Sequence, residues 1–244
     1  MKHHAPSEFH GHRVSLAQYA ATGCTFELLV PVNCDRLIDE PAVIARFEKD
    51  EYLPYWAQIW PASLLLADAV AAWQPLRGRS PRIIEIGCGL GLVTLVLCHL
   101  GYRVLATDCS EDALAFVVEN ARRNRLPIPE TRVLDWCQRY PDLSFDRIIA
   151  ADVLFETRHL RPVAEFIGQH LAHGGFALLA DPNRVTAEDF GTVARHSRLA
   201  VDVVPVAHVD PGADNPIRGR LFHLRHTTWN VSQNQTEPPP CTSG

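Results

Sequence analysis

From residue 82 onward the apolar positions switch regularly between two spacings. Short runs rich in β-branched residues, Ile83–Ile86, Tyr102–Thr107, Thr131–Leu134, Phe145–Ala151 and Phe176–Ala180, predict strands buried within a sheet. Helical patterns lie between them. Leu92–Cys98 is apolar all round, as a helix sunk against a sheet would be. Ser110 can cap a helix with Glu111 and Asp112 in its first turn and a stripe of Leu114, Val117, Val118 and Ala121. Pro162–Leu171 carries Val163, Phe166 and Ile167, and Thr186 with Asp189 three residues later has the capping-box pattern of a further helix. Upstream, Pro61 suits a first helical turn and Ala62–Trp73 puts Leu65, Leu66, Ala69 and Trp73 on one face. Val201–Val206 and Leu221–Arg225 alternate and predict a closing antiparallel hairpin. The sum is an α/β fold: a doubly wound, mainly parallel, seven-stranded sheet of Rossmann-like type, with that hairpin at its end and an N-terminal extension.

The pattern also divides the chain. Residues 1–13 are polar and are expected to lack structure. Their histidines, His3, His4, His10 and His12, have no acidic or cysteine companions, so no metal site is predicted. Residues 14–60 form the extension: Phe26–Val30 reads as a strand broken by Pro31, and Arg36–Glu51 as partly helical. Tyr52–Ser63, with two tryptophans, two tyrosines and two prolines, makes a stiff aromatic connector. The α/β domain spans 61–228, and the Asn-, Gln-, Thr- and Pro-rich 229–244 is expected to be a disordered tail.

Composition narrows the function classes. The chain has 244 residues, 47% hydrophobic and 21% charged, which suits one domain with a substantial core. A net charge of −5 argues against a broad basic face, so no nucleic acid partner is expected. No apolar run reaches membrane-spanning length and no signal-peptide core is evident, which predicts a cytoplasmic protein. Seven cysteines without a C-x-x-C fit reduced thiols better than disulfides or zinc.

The chemistry concentrates at Arg82–Gly91, R-I-I-E-I-G-C-G-L-G. Glycines directly after a strand let the backbone turn and approach a ligand. In parallel sheets ligands bind beyond the carboxyl ends of the strands. Those ends here carry Glu85 with Gly87, then Asp108, Asp135, Asp152 and Asp181. The loop is not the dinucleotide fingerprint, because Leu92 stands where the third glycine of G-x-G-x-x-G belongs, and no Lys-Ser/Thr of a phosphate-binding loop is present. Glu85 ahead of the loop suits a ligand with a positive end.

E-I-G-C-G-L-G resembles motif I of the seven-β-strand, class I S-adenosylmethionine (SAM) methyltransferases. The resemblance implies SAM as cofactor, with the glycine loop beside its methionine part. Asp108 would accept hydrogen bonds from the ribose hydroxyls. Asp135 would lie near the adenine amino group, with Trp136 against the ring. Y-W-A-Q-I-W-P-A-S, A-T-D, D-W and A-A-D-V-L-F extend the likeness to the branch holding small protein-lysine methyltransferases and bacterial nicotinamide N-methyltransferase-like proteins. There Trp60 would flank the cofactor. The implied cofactor set is Trp60, Glu85, Gly87, Cys88, Gly89, Gly91, Asp108, Asp135, Trp136 and Ala151, and the catalytic pair is Asp152 and Phe155. Phe155 stands where the family more often has tyrosine, which removes a phenol hydroxyl. Asp152 would position an amine rather than act as a base, because an anion favours the ammonium form. Val153-Leu154 lacks the prolines of nucleobase-amino methyltransferases. The expected acceptor is a protein lysine side chain. Two alternatives stand beside it, a small amine or nicotinamide-like molecule and a non-catalytic SAM-binding module. A mouth lidded by Tyr52–Trp60 and Val209–Arg218 would suit a small molecule. Asp181–Arg184, D-P-N-R, resembles a turn found in some bacterial members.

Overall fold

The computed structural model describes residues 7–21, 23–32, 34–39, 41–74, 78, 80–210 and 215–227. The chain opens with a three-stranded antiparallel sheet, β1 (Glu8–Phe9), β2 (His12–Ala21) and β3 (Cys24–Pro31). A helix α1 (Pro41–Asp50), a short 3-10 turn at Tyr55–Ala57 and helix α2 (Pro61–Ala71) lead into the α/β unit. That unit runs β4 (Ile83–Ile86), α3 (Leu92–His99), β5 (Val104–Asp108), α4 (Glu111–Arg123), β6 (Glu130–Val133), β7 (Phe145–Ala151), α5 (Thr157–His170), β8 (Leu171–Asp181), α6 (Phe190–His196), β9 (Leu199–His208) and β10 (Ile217–His226). Its seven strands lie in the order β6-β5-β4-β7-β8-β10-β9, with β10 antiparallel to both neighbours and the rest parallel. The chain builds one way from β4 and then crosses back to β7, so the β4–β7 crevice is the topological switch point.

Strand alternation sorts the core into two layers. Ile83, Ile149, Leu178, Ala180 and Leu221 face α2 and α3. Their neighbours Ile84, Ile148, Ala177, Leu179 and Phe222 face α5 and α6. Both faces are covered, so the parallel strands read as unbroken apolar runs.

Three expectations need correction. Residues 8–13, expected to lack structure, belong to β1, the His10-Gly11 turn and the start of β2. Phe9 meets Phe116 of α4 edge-on, with ring centroids 5.0 Å apart, while His10 and His12 reach Asp112 on the same helix. The two histidines combine a carboxylate partner with ring contacts, His12 lying 5.4 Å from Trp56 and 6.0 Å from Phe116. Second, α5 begins at Thr157 rather than Pro162, with the proline held inside the helix. Third, the Thr186–Asp189 capping box does not form: the Thr186 hydroxyl donates instead to the Leu154 carbonyl at 2.7 Å, and Asp189 caps α6 with no side-chain hydrogen bond. A tertiary partner took the Thr186 hydroxyl. The expectation for 229–244 lies outside the described residues.

The N-terminal sheet is fastened to α4 by two carboxamides. Asn120 Oδ1 accepts from Leu29 N–H at 2.7 Å, and its Nδ2 donates to the carbonyls of Leu29 and Leu90. Asn124 does the same for both backbone groups of Glu27. These side chains replace a missing strand along β3. Asn120 is fully buried, so its loss orphans three backbone groups. Asn120→Ala is expected to lower stability by about 2–3 kcal/mol in urea denaturation. A loss under about 0.5 kcal/mol would mean that β3 is held by packing alone.

Candidate active site

A cavity of about 690 Å³ opens at the switch point, above the carboxyl ends of β4, β5 and β7. Ligand pockets commonly enclose about 300–1,000 Å³. Its floor is Gly87, Cys88, Gly89 and Leu90; Asp108, Asp135 and Trp136 form one wall; Ala151, Asp152 and Phe155 form the other. The connector from Tyr52 to Trp60 closes over it.

The floor is shaped by backbone. Gly87 has φ 67°, and a Cβ there would stand 3.2 Å from Val153 Cγ1 and 3.3 Å from the Trp136 ring. Cys88 N–H donates to Thr107 O at 2.9 Å, and Gly89 N–H donates to Asp108 Oδ2 at 3.0 Å. The other Asp108 oxygen accepts from Ser110 N–H, also at 3.0 Å. Burial raises the Asp108 pKa above the usual carboxylate value, while these backbone donors pull the other way. Asp135 Oδ1 accepts from Cys137 N–H at 2.8 Å, which sets Trp136 against the Gly87 turn.

Two residues of the expected cofactor set do not reach the cavity. Gly91 sits behind the loop, where φ 86° and Val117 Cγ2 at 2.8 Å from a Cβ position demand glycine for packing. Glu85 is sealed beneath the floor against the Thr94 hydroxyl. Burial pushes its carboxyl up to about 8, so it is largely protonated at neutral pH and offers no anion to a positively charged ligand. Asp181 is also off the cavity wall: fully buried, its Oδ1 accepts from Arg184 N–H and from Arg220 Nε, both at 3.0 Å. Of five strand-end acids, Asp108, Asp135 and Asp152 line the cavity.

The β7 end is aromatic. Rings of Trp60, Tyr55, Phe155, His159 and Trp136 follow one another edge to face, at centroid separations of 5.8, 4.9, 4.7 and 5.7 Å. Trp60 Nε1–H donates to Tyr55 O at 2.7 Å, which fixes the indole. Burial lowers the His159 pKa, so its ring stays neutral. Asp152 was expected to be free to orient an amine, but its carboxylate carries Arg184: Nε to Oδ1 at 2.5 Å and Nη2 to Oδ2 at 2.8 Å. His159 lies in the first turn of α5, upstream of the Pro162 start that the apolar pattern predicts. Tyr52 of the aromatic connector also lines the cavity, as does Arg46, which no motif marks. The described part of Val209–Arg218 does not line it, and residues 211–214 lie outside the described residues. No cluster of three or more metal-ligating side chains occurs among the described residues.

Residues 84–179 match the family described as a methyltransferase domain. The chain is 35% identical over 112 residues to mouse "Protein-lysine methyltransferase METTL21E", covering 41% of this chain and 46% of that protein. It is 30% identical over 131 residues to "Protein N-lysine methyltransferase METTL21A" of Danio rerio, covering 50% and 58%. The chain thus spans about half the length of the curated relatives it matches. Its fold is similar to that of a ribosomal protein L11 methylase from Lactobacillus delbrueckii subsp. bulgaricus, with TM-score 0.50, 18% identity and coverage of 68% of this chain and 76% of that one.

Residues 84–179 carry a methyltransferase domain. The geometry of this methyltransferase domain fits SAM: Gly87 and Gly89 put no side chain into the floor, and Asp108, Asp135 and Trp136 could give a nucleoside polar and aromatic partners. In the same domain Glu85 serves the floor rather than the ligand. Its folded value of about 8 exceeds the unfolded 4.5, so the folded state binds the extra proton between them. The resulting stabilisation is complete below about pH 4.5 and disappears as pH rises through about 8. Glu85→Gln keeps an acceptor for Thr94 and cannot ionise. Its melting temperature relative to wild type is expected to climb from pH 5 to pH 8; a pH-independent difference would show that Glu85 is ionised in the fold.

Proposed function

We propose that this methyltransferase domain transfers a methyl group from SAM to the side-chain nitrogen of a protein lysine. The supporting observation is the aromatic end of the cavity, where the rings of Trp60, Tyr55, Phe155 and His159 form a continuous row beside Asp152. It suits the slender, apolar stem and terminal nitrogen of lysine. The two relatives named as protein-lysine methyltransferases support the same acceptor.

On this reading Gly87, Cys88 and Gly89 hold the amino-acid part of the cofactor, Asp108 accepts from its ribose, and Asp135 and Trp136 hold its base. Ala151 and Trp60 flank the reacting centre. Bound SAM supplies an electrophilic methyl group on a sulfonium. The amine lone pair forms the N–C bond, the electrons of the broken C–S bond remain on sulfur, and the nitrogen then loses a proton to solvent. The aromatic walls exclude water and align the amine, so the acceleration comes from positioning and desolvation. No residue here is assigned as a general base. The domain is read as cytoplasmic, in keeping with the free thiols at Cys24, Cys34, Cys88, Cys98, Cys109 and Cys137. No helix among the described residues is long and apolar enough to cross a membrane.

Incubating the protein and methyl-labelled SAM with cell extract is expected to label a protein band at lysine. Label confined to small molecules would move the acceptor to a free amine, and SAM binding without turnover would leave a non-catalytic module. Phe155→Ala is expected to slow transfer by at least about tenfold while SAM affinity stays within about twofold, read by calorimetry beside the labelling rate. A parallel loss of SAM affinity would place Phe155 with the cofactor instead.

A further inference from the structure

We infer that Arg184 is a selectivity residue: by holding the Asp152 carboxylate it cancels that charge at the β7 end of the cavity, so that the site takes its acceptor as an uncharged amine rather than as an ammonium ion. The inference deepens the proposed methyl transfer and rests on it in one respect, that the acceptor occupies the aromatic end.

A bare carboxylate among aromatic rings would be an ammonium site. It would attract the protonated form of lysine and stabilise it, the wrong state for attack, because an ammonium nitrogen has no lone pair. The geometry prevents this. The Asp152 side chain is only 4% exposed, and the guanidinium grips both of its oxygens. Such a two-point pair is directional and always cationic on the arginine side.

Arg184 is also anchored against swinging away. Its N–H donates to Asp181 Oδ1 at 3.0 Å, and its carbonyl accepts from Arg220 Nη2 at 2.7 Å. The guanidinium carbon lies 5.7 Å from the Trp60 ring centre. The hydrogen bond to Asp152 raises the Arg184 pKa further. The neighbouring charges do not undo the cancellation. Asp181 on β8 is paired with Arg220 on β10. Glu51 beyond α1 and Glu156 ahead of α5 share Arg158 at the solvent-facing mouth, where their fields are screened. Asp135 stands on the opposite wall, Tyr55 presents a phenol, and burial keeps His159 neutral.

The test uses the full chain and ligands that differ in charge. SAM carries a sulfonium, whereas its product S-adenosylhomocysteine (SAH) carries a neutral thioether. Arg184→Gln bares Asp152 and is expected to raise the preference for SAM over SAH about tenfold in calorimetry; Asp152→Asn leaves the cation alone and is expected to lower it by a similar factor. Arg184→Lys keeps the charge and is expected to stay near wild type. Butylamine, a stand-in for the lysine side chain, is titrated into the SAH complex at about pH 7 and about pH 10. Wild type is expected to bind it more tightly at the higher pH, and Arg184→Gln is expected to lose that dependence. An unchanged SAM-to-SAH ratio in Arg184→Gln, including an equal loss for both ligands, would overturn the inference and make Arg184 a structural brace. If the ratio moves in opposite directions in the two variants while no extract ever yields labelled product, the charge assignment stands and the methyl-transfer reading fails.

Discussion

The clip between the first two strands of the parallel sheet governs the rest of the site. Cys88 and Gly89 would leave two backbone N–H groups turned into a crevice; the Thr107 carbonyl and the Asp108 carboxylate take them. Buried backbone donors must find partners, so this arrangement is required before any ligand arrives. It lowers the glycine loop onto the end of β5, and the next turn must then cross Val117 so closely that Gly91 cannot carry a side chain. The loop's shape follows from satisfying the backbone, and the cradle follows from the loop's shape.

Desolvation then decides what each acid can do. All five strand-end carboxyls come from similar places in the sequence pattern, yet their surroundings part them. Glu85 lies under the floor with the Thr94 hydroxyl as the hydrogen-bond partner of its side chain among the described residues, so burial favours its neutral form. Asp108 meets backbone donors at both oxygens and faces the cavity. Asp152 and Asp181 each take an arginine, which neutralises two buried anions on the β7–β8 side. The cavity is therefore polar along Asp108 and Asp135 and aromatic, with a cancelled charge, at the β7 end. That asymmetry suits a reaction between a cationic donor and an acceptor that must arrive neutral.

The N-terminal sheet is tied to the same constraint. Asn120 bonds both Leu29 and the Leu90 carbonyl, so one carboxamide links the β3 edge, helix α4 and the glycine loop. Trp56, from the connector that follows, packs over Gly89 with its carbonyl 3.3 Å from where a Cβ would stand. The extension thus shapes the roof of the cavity.

The sequence by itself determined the α/β fold, the strand-end rim, the glycine loop and the position of the aromatic cluster, because period, turn residues and strand ends are local properties of the chain. It placed Gly87, Gly89, Asp108, Trp136, Trp60 and Phe155 where the cavity is found. It did not reveal that residues 8–13 pair, since the Asp112 carboxylate that His10 and His12 meet lies about a hundred positions away. Nor did it separate Glu85 from the ligand-facing acids. Whether a carboxyl faces a cavity, a hydroxyl or an arginine depends on which distant strands become neighbours. The glycine loop by itself pointed to a cavity above β4. Tertiary structure alone decided which of its residues line the cavity, because burial and charge pairing are set between elements and leave no period in the chain.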